Sequence, residues 1–129
     1  MCRARTFARV DDMRRSVLIV DDHAAFRAAA RELLEAGAFE VVGEAADGAS
    51  ALAQAAELRP DVVLLDIQLP DFDGFAVAER LGEHGASAAI VLTSSRSVTT
   101  FRRRLAANPS WRFIAKSELS EQALAAAVA

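Results

Sequence analysis

Cysteine is almost missing from this chain: Cys2 is the only one in 129 residues. A disulfide framework is therefore excluded, and a reducing, cytoplasmic compartment is expected. No apolar stretch approaches the roughly 18 residues that a membrane span requires. The N-terminal residues lack the apolar core of a signal peptide. The formal charge of −3 gives no support for general nucleic-acid binding by this domain. Beyond an alanine bias there is no low-complexity tract, no linker and no internal repeat, and the length suits one domain. At 53% hydrophobic residues, many of them alanine, the core should be adequate but finely packed.

The first sixteen residues differ from the rest. Arg3, Arg5, Arg9, Arg14 and Arg15 stand against Asp11 and Asp12, a local charge of +3 that leaves −6 for the remainder. No helical stripe is visible there. Residues 1–15 are expected to form a flexible arm, part of it non-native, with Met13-Arg14-Arg15-Ser16 as an alternative natural start. A nucleic-acid or membrane-tethering arm is the lesser reading. The domain proper is expected over residues 16–129.

What the sequence does contain is organised around Arg59 to Gly74. Val62-Val63-Leu64-Leu65 is a short apolar run between Pro60 and Pro70, which suits a strand covered on both faces better than a helix. Asp66 ends it. In an open parallel sheet the carboxyl edge is where ligands bind, and Pro70 to Gly74 is turn chemistry that takes the chain away from the sheet at once. A second apolar run, Ser16 to Val20, stops at Asp21-Asp22. If the two strands are parallel neighbours, three carboxylates meet. Three anions in a partly dry site repel one another and call for a cation. Oxygen ligands without cysteine favour a hard ion, Mg²⁺ before Zn²⁺.

The remaining elements alternate. A helix over 24–36 carries Phe26, Ala29, Ala30, Leu33 and Leu34 at helical spacing, with Gly37 suited to its C′ position. A strand follows over 39–45, a turn at Asp47-Gly48, an alanine-rich helix over 49–58, the central strand, and a helix over 74–82. A fourth strand over 88–92 ends at Thr93-Ser94-Ser95. A helix over 98–107, a turn at Asn108-Pro109-Ser110, a strand over 111–115 ending at Lys116, and a helix over 120–129 complete the chain. Five strands alternating with five helices require a parallel sheet with helices on both faces. Asp21, Asp22, Asp66, Thr93 and Lys116 would then converge on one edge. Such a set can bind Mg²⁺, offer Asp66 to a phosphoryl group and stabilise phosphoryl oxygens.

Asp21-Asp22, Asp66 followed by Pro70 and Gly74, Thr93, and Lys116, in this order and spacing, make the chain resemble the response-regulator receiver domains of two-component signalling, from about Val17 onward. Asp22-His23 with Phe26-Arg27, and Lys116-Ser117-Glu118-Leu119, resemble the NarL-like subfamily. The resemblance implies a flavodoxin-like (βα)₅ doubly wound sheet of strand order 2-1-3-4-5. It implies that Asp66 accepts a phosphoryl group from a sensor histidine kinase or phosphotransfer protein. It further implies that Asp22, Asp66 and the Gln68 carbonyl ligate Mg²⁺, with Asp21 acting largely through water. Lys116 would pair with a phosphoryl oxygen, Thr93 would turn inward to it, and Phe113 would follow as the switch aromatic. The output would be binding of an unidentified downstream target through the face of helix four, strand five and helix five. A homodimer through that face, or through helices one and five, is compatible. The chain would be a signalling protein rather than an enzyme, although it would catalyse its own phosphorylation and dephosphorylation. It would be either a stand-alone receiver or part of a longer DNA-binding regulator.

Some residues depart from the family pattern. The chain has no tyrosine, so Phe113 lacks the hydroxyl often found at the switch position. Ser117 replaces the proline that many members place after the lysine. Gln68 and Ser95 occupy the variable positions that tune hydrolysis.

Each residue also has a plainer reading. Asp21 and Asp22 could be turn or cap acids, Thr93 part of a Ser/Thr loop, and Lys116 a surface lysine; only the set is specific. His23 is expected to face solvent at the helix start, since one histidine among hard carboxylates does not make a zinc site. Arg102-Arg103-Arg104 reads first as a solvated face and second as a partner contact. Asp71-Phe72-Asp73-Gly74 lacks the downstream glutamate of a calcium loop. A haloacid-dehalogenase-like phosphatase would need an acid where Gln68 stands. A receiver-like module that works unphosphorylated is the remaining alternative.

Overall fold

The computed structural model describes residues 14–129. The apolar runs become the strands β1 (Arg15–Val20), β2 (Phe39–Ala45), β3 (Val62–Asp66), β4 (Ala89–Ser94) and β5 (Arg112–Ala115). They form one parallel sheet in the order β2-β1-β3-β4-β5. The helices between them are α1 (Ala24–Glu35), α2 (Gly48–Leu58), α3 (Gly74–Glu83), α4 (Arg102–Ala106) and α5 (Glu121–Ala127). This is the expected flavodoxin-like arrangement. None of the helices in the described residues is long and apolar enough to cross a membrane.

Successive strand side chains point to opposite faces, so each strand feeds two cores. Leu18, Val20, Val63, Leu65, Ile90 and Leu92 pack with α2 and α3 on one face. Val17, Ile19, Val62, Leu64, Val91 and Ile114 pack with Ala30 and Leu34 of α1 and Leu124 of α5 on the other. Val62 to Leu65 are buried without exception, which is why β3 reads as an uninterrupted apolar run.

Several expectations are corrected. Arg14 and Arg15 belong to the folded body, not to an arm. Arg15 opens β1 opposite Phe39 and donates to the Val128 carbonyl at 2.7 Å, while Arg14 reaches the Glu35 carbonyl at 3.4 Å. Both satisfy carbonyls at helix C-terminal ends. The rest of the proposed arm lies outside the described residues. Gly37 does not take the left-handed conformation of a C′ glycine, since Gly85 is the only glycine with positive φ among the described residues. A Cβ at Gly37 would displace the Glu121 side chain, which it would meet at 2.3 Å. Leu33 and Ala29 turn outward, so the buried stripe of α1 is Ala30 and Leu34, with Phe26 at its margin.

The expected helix over 98–107 is broken. Val98–Phe101 is a 3-10 turn, and α helix runs only over Arg102–Ala106. Val98, Thr99 and Thr100 are β-branched, and their restricted χ1 disfavours helix. Asn108-Pro109 then halts the chain.

Candidate functional site

The carboxyl edge of the sheet gathers the expected residues. Asp21 lies just past β1, Asp66 ends β3, Thr93 faces Asp66 across the β3–β4 ladder, and Lys116 follows β5. Asp21, Asp66 and Thr93 are essentially buried. Asp22 and His23 remain exposed at the mouth.

Lys116 binds the two buried acids together. Its Nζ lies 2.6 Å from Asp21 Oδ2 and 3.3 Å from Asp66 Oδ2. The Asp21 contact is a close ion pair rather than a well-directed hydrogen bond. The same ammonium sits 4.7 Å from the centroid of Phe26, a cation–π contact that the sequence did not reveal. The other oxygens are held by backbone. Asp21 Oδ1 accepts from the His23 N–H at 2.8 Å, and Asp66 Oδ1 from the Gln68 N–H at 3.2 Å.

Burial raises the Asp66 carboxyl above the usual range, and the neighbouring Asp21 charge adds to it. The Gln68 N–H and Lys116 oppose both without cancelling them. For Lys116, burial works against the charge, but the bonds to Asp21 and Asp66 prevail and raise it.

Metal-ligating atoms of Asp21, Asp22, His23 and Asp66 all lie within 4.8 Å of one another. Three carboxylates face one lysine, so the edge keeps a net negative charge, and the donors are mainly oxygens. That chemistry fits a hard divalent cation. His23 is solvent-facing, as expected, but its Nδ1 also lies 3.1 Å from both Asp21 Oδ1 and Asp22 Oδ1.

Thr93 Oγ1 is buried with no hydrogen-bond partner among the described residues. An unmet buried hydroxyl is unfavourable. Phe113 is half-buried, and its ring lies 6.0 Å from that of Phe101. Phe101 in turn lies 6.0 Å from Phe75, which is 5.9 Å from Trp111.

The support behind the site was harder to foresee. Arg27 Nη1 donates to the Asp21 carbonyl at 2.6 Å, and its Nε to Glu44 Oε1 at 3.0 Å. Arg31 Nε holds Glu44 Oε2 at 2.8 Å. The bond from Arg31, joined by that from Arg27, lowers the Glu44 carboxyl below its ordinary value against the effect of burial. The end of β2, silent in the sequence, thus anchors Asp21 through Arg27.

The acids of the β3–α3 loop have structural duties. Asp71 accepts from the N–H groups of Gly48 and Ala49 at 2.7 and 3.0 Å, joining Asp47 in capping α2. The Gly48 bond chiefly lowers its pKa. Asp73 caps α3 through the Ala76 N–H. Gly74 passes against the end of β3: its N–H donates to the Ile67 carbonyl at 2.6 Å, and an added Cβ would stand 2.4 Å from the Asp66 carbonyl oxygen.

The response regulator receiver domain family matches residues 17–129. The chain belongs to that family. This receiver is 40% identical over 111 residues to a Pseudomonas aeruginosa protein named as a transcriptional regulator, covering 85% of the chain and 54% of that protein. It is 36% identical over 117 residues to BvgA of Bordetella pertussis, covering 91% and 56%. Among solved structures it resembles the signal receiver domain of NarL from Mycobacterium tuberculosis, with a TM-score of 0.75 and 30% identity over 88% of this chain and 96% of that one. It spans about half the length of the two curated relatives. Receiver domains are signalling domains of two-component systems; they interact with histidine kinases or phosphotransfer proteins and generally bind Mg²⁺.

Proposed function

We propose that this receiver accepts a phosphoryl group on Asp66 and uses Thr93 and Phe113 to report it. The observation that carries the reading is the buried, unpartnered Thr93 hydroxyl opposite Asp66, whose Oδ2 already faces Lys116 at 3.3 Å. The donor is a phosphohistidine of a sensor kinase or phosphotransfer protein. The N–P bond breaks as the bond from an Asp66 oxygen to phosphorus forms, and the donor histidine leaves as a free imidazole. Attack by water on phosphorus later releases inorganic phosphate and restores the carboxylate.

Asp22, Asp66 and the Gln68 carbonyl would hold Mg²⁺, and Asp21 would act through water. When bound, that ion neutralises charge on the carboxylates and phosphoryl oxygens. Lys116 exchanges its contact with Asp66 for one to a phosphoryl oxygen. The added charge of about −1.5 to −2 and three acceptor oxygens give Thr93 the partner it lacks. Its inward turn vacates space beside β4 that Phe113 occupies. That movement biases the face of α4, β5 and α5 between two states. Self-phosphorylation and autodephosphorylation take place on this domain, residues 14–129 by its folded extent, in the cytoplasm. Its output is binding of a downstream target, and the length of the relatives supports a place within a longer transcriptional regulator.

Incubation with Mg²⁺ and acetyl phosphate, followed by intact-mass detection, tests this. One labile phosphoryl adduct is expected in the wild type and none in Asp66→Asn. A folded protein that forms no adduct and does not respond to beryllofluoride would favour a module that works unphosphorylated.

A further inference from the structure

Lys116 is the only lysine in the chain. Its ammonium lies 2.6 Å from Asp21 Oδ2, 3.3 Å from Asp66 Oδ2 and 4.7 Å from the centroid of the Phe26 ring. The two acids have evident chemistry at this edge. A phenyl ring has neither a proton nor a charge to offer the reaction. Phe26 stands in the first turn of α1, half-buried, packed at the margin of the core that α1 and α5 cover.

The ring is fixed from behind. The next residue, Arg27, donates from Nη1 to the Asp21 carbonyl at 2.6 Å and from Nε to Glu44 Oε1 at 3.0 Å. Its N–H closes the first turn of α1 on the His23 carbonyl at 3.1 Å. The turn that carries Phe26 is therefore tied to the same residue, Asp21, that Lys116 pairs with.

Lysine is a strongly hydrated point charge on a flexible four-carbon stem. The Lys116 side chain keeps 17% of its surface exposed, so water competes for the ammonium. An aromatic face attracts a cation, and more strongly where water is excluded. It carries no net charge, so it does not compete with a phosphoryl oxygen as a third carboxylate would. An aliphatic side chain would fill the same space without attracting the ammonium.

We infer that Phe26 is a positioning residue for phosphoryl transfer: its ring holds the Lys116 ammonium beside the Asp66 carboxylate, where a phosphoryl oxygen arrives. The inference rests on Asp66 being the acceptor. Ordering the lysine beforehand removes that cost from the transition state, in which its charge faces the phosphoryl oxygens. Packing alone would ask only for an apolar side chain of similar size.

The experiment uses the full chain carrying isotope-labelled lysine, in which one side chain supplies the whole signal. Wild type, Phe26→Leu, Phe26→Met and Phe26→Tyr are compared in Mg²⁺ buffer, with rates scaled to the folded fraction seen in amide spectra. The ring current should shift the Lys116 ε-methylene protons upfield in the wild type and in Phe26→Tyr, and the two aliphatic variants should lose that shift. Acetyl phosphate is the donor: its P–O bond to acetate breaks as the bond from an Asp66 oxygen to phosphorus forms, and acetate leaves. Such a donor is too small to need a docking surface, so its rate reports on the site itself. Adduct formation should slow about three- to tenfold in both aliphatic variants, the range of a partly desolvated cation–π contact, and stay within about twofold in Phe26→Tyr. An unchanged rate in the aliphatic variants, or a Lys116 signal that they do not move, would overturn the role of Phe26 while the wild-type adduct leaves Asp66 as the acceptor. Equal slowing in Phe26→Tyr with the shift retained would assign Phe26 to packing alone. No adduct in any of the four proteins would overturn the acceptor reading and the role of Phe26 with it.

Discussion

Asp66 and Thr93 are partners in the parallel ladder between β3 and β4, and the Thr93 hydroxyl is buried there without a hydrogen bond. In this form the hydroxyl contributes nothing that a methyl group would not. Thr93→Val should therefore leave stability unchanged or raise it by up to about 1 kcal/mol, because removing an unsatisfied polar group relieves its desolvation cost. Urea denaturation measures this. The same variant should accept a phosphoryl group but lose the beryllofluoride-induced spectral change around Phe113. A clear loss of stability would show that the hydroxyl is already satisfied.

Replacing Asp66 by asparagine should raise the melting temperature in metal-free buffer at neutral pH. The Asp66 carboxyl is raised by burial and by Asp21, so its charged form is disfavoured by folding. The folded state binds the proton more tightly than the unfolded chain, and stability falls as pH rises through the folded value. The advantage of the variant should vanish in acid, where both states are protonated. Mg²⁺ should stabilise the wild type and have much less effect on the variant. Thermal melts at two pH values, with and without the ion, give all four comparisons.

Glu44 works in the opposite sense. Its carboxyl is lowered chiefly by Arg31, so its contribution is complete above the ordinary carboxylate range and is lost as pH falls through the folded value. Glu44→Gln should cost roughly 1 kcal/mol at neutral pH, the upper end for a partly exposed ion-pair network. The difference from wild type should close in acid. Because Glu44 orients the arginine that holds the Asp21 carbonyl, Mg²⁺ affinity should weaken as well. An equal loss of stability at every pH would rule out the ionic origin.

Gly74→Ala should be the most damaging small substitution near the site. Its Cβ would stand 2.4 Å from the Asp66 carbonyl and 2.7 Å from Ile67 Cα, both backbone atoms that cannot swing aside. A loss of at least about 2 kcal/mol is expected, as for other forced backbone shifts. Gly82→Ala, where the added Cβ meets nothing within 4 Å, is the matched control. Chemical denaturation of the pair separates crowding from helix propensity, since both glycines lie in α3.

The legibility of this protein followed the range of the interactions involved. Buried parallel strands must be apolar on both faces, so β1, β3 and β4 announced themselves as short runs, and the acids, threonine and lysine that follow could be read directly. Alternation with helices then implied the sheet, and the family resemblance its strand order. The segment 98–107 departs from the expected single helix because the β-branched Val98-Thr99-Thr100 run opens it as a 3-10 turn. Arg15 is tied to the fold by the Val128 carbonyl, at the other end of the chain, which no local pattern signals.

What tertiary structure alone decided are contacts between residues distant in sequence. The Phe26 ring over Lys116, the Arg27 bond to Glu44, and Asp71 capping α2 each depend on where separate elements come to rest. Sequence periodicity reports which way a side chain points within its own element. It carries no distance between elements, so it could nominate the residues of this edge but not the side chains that hold them there.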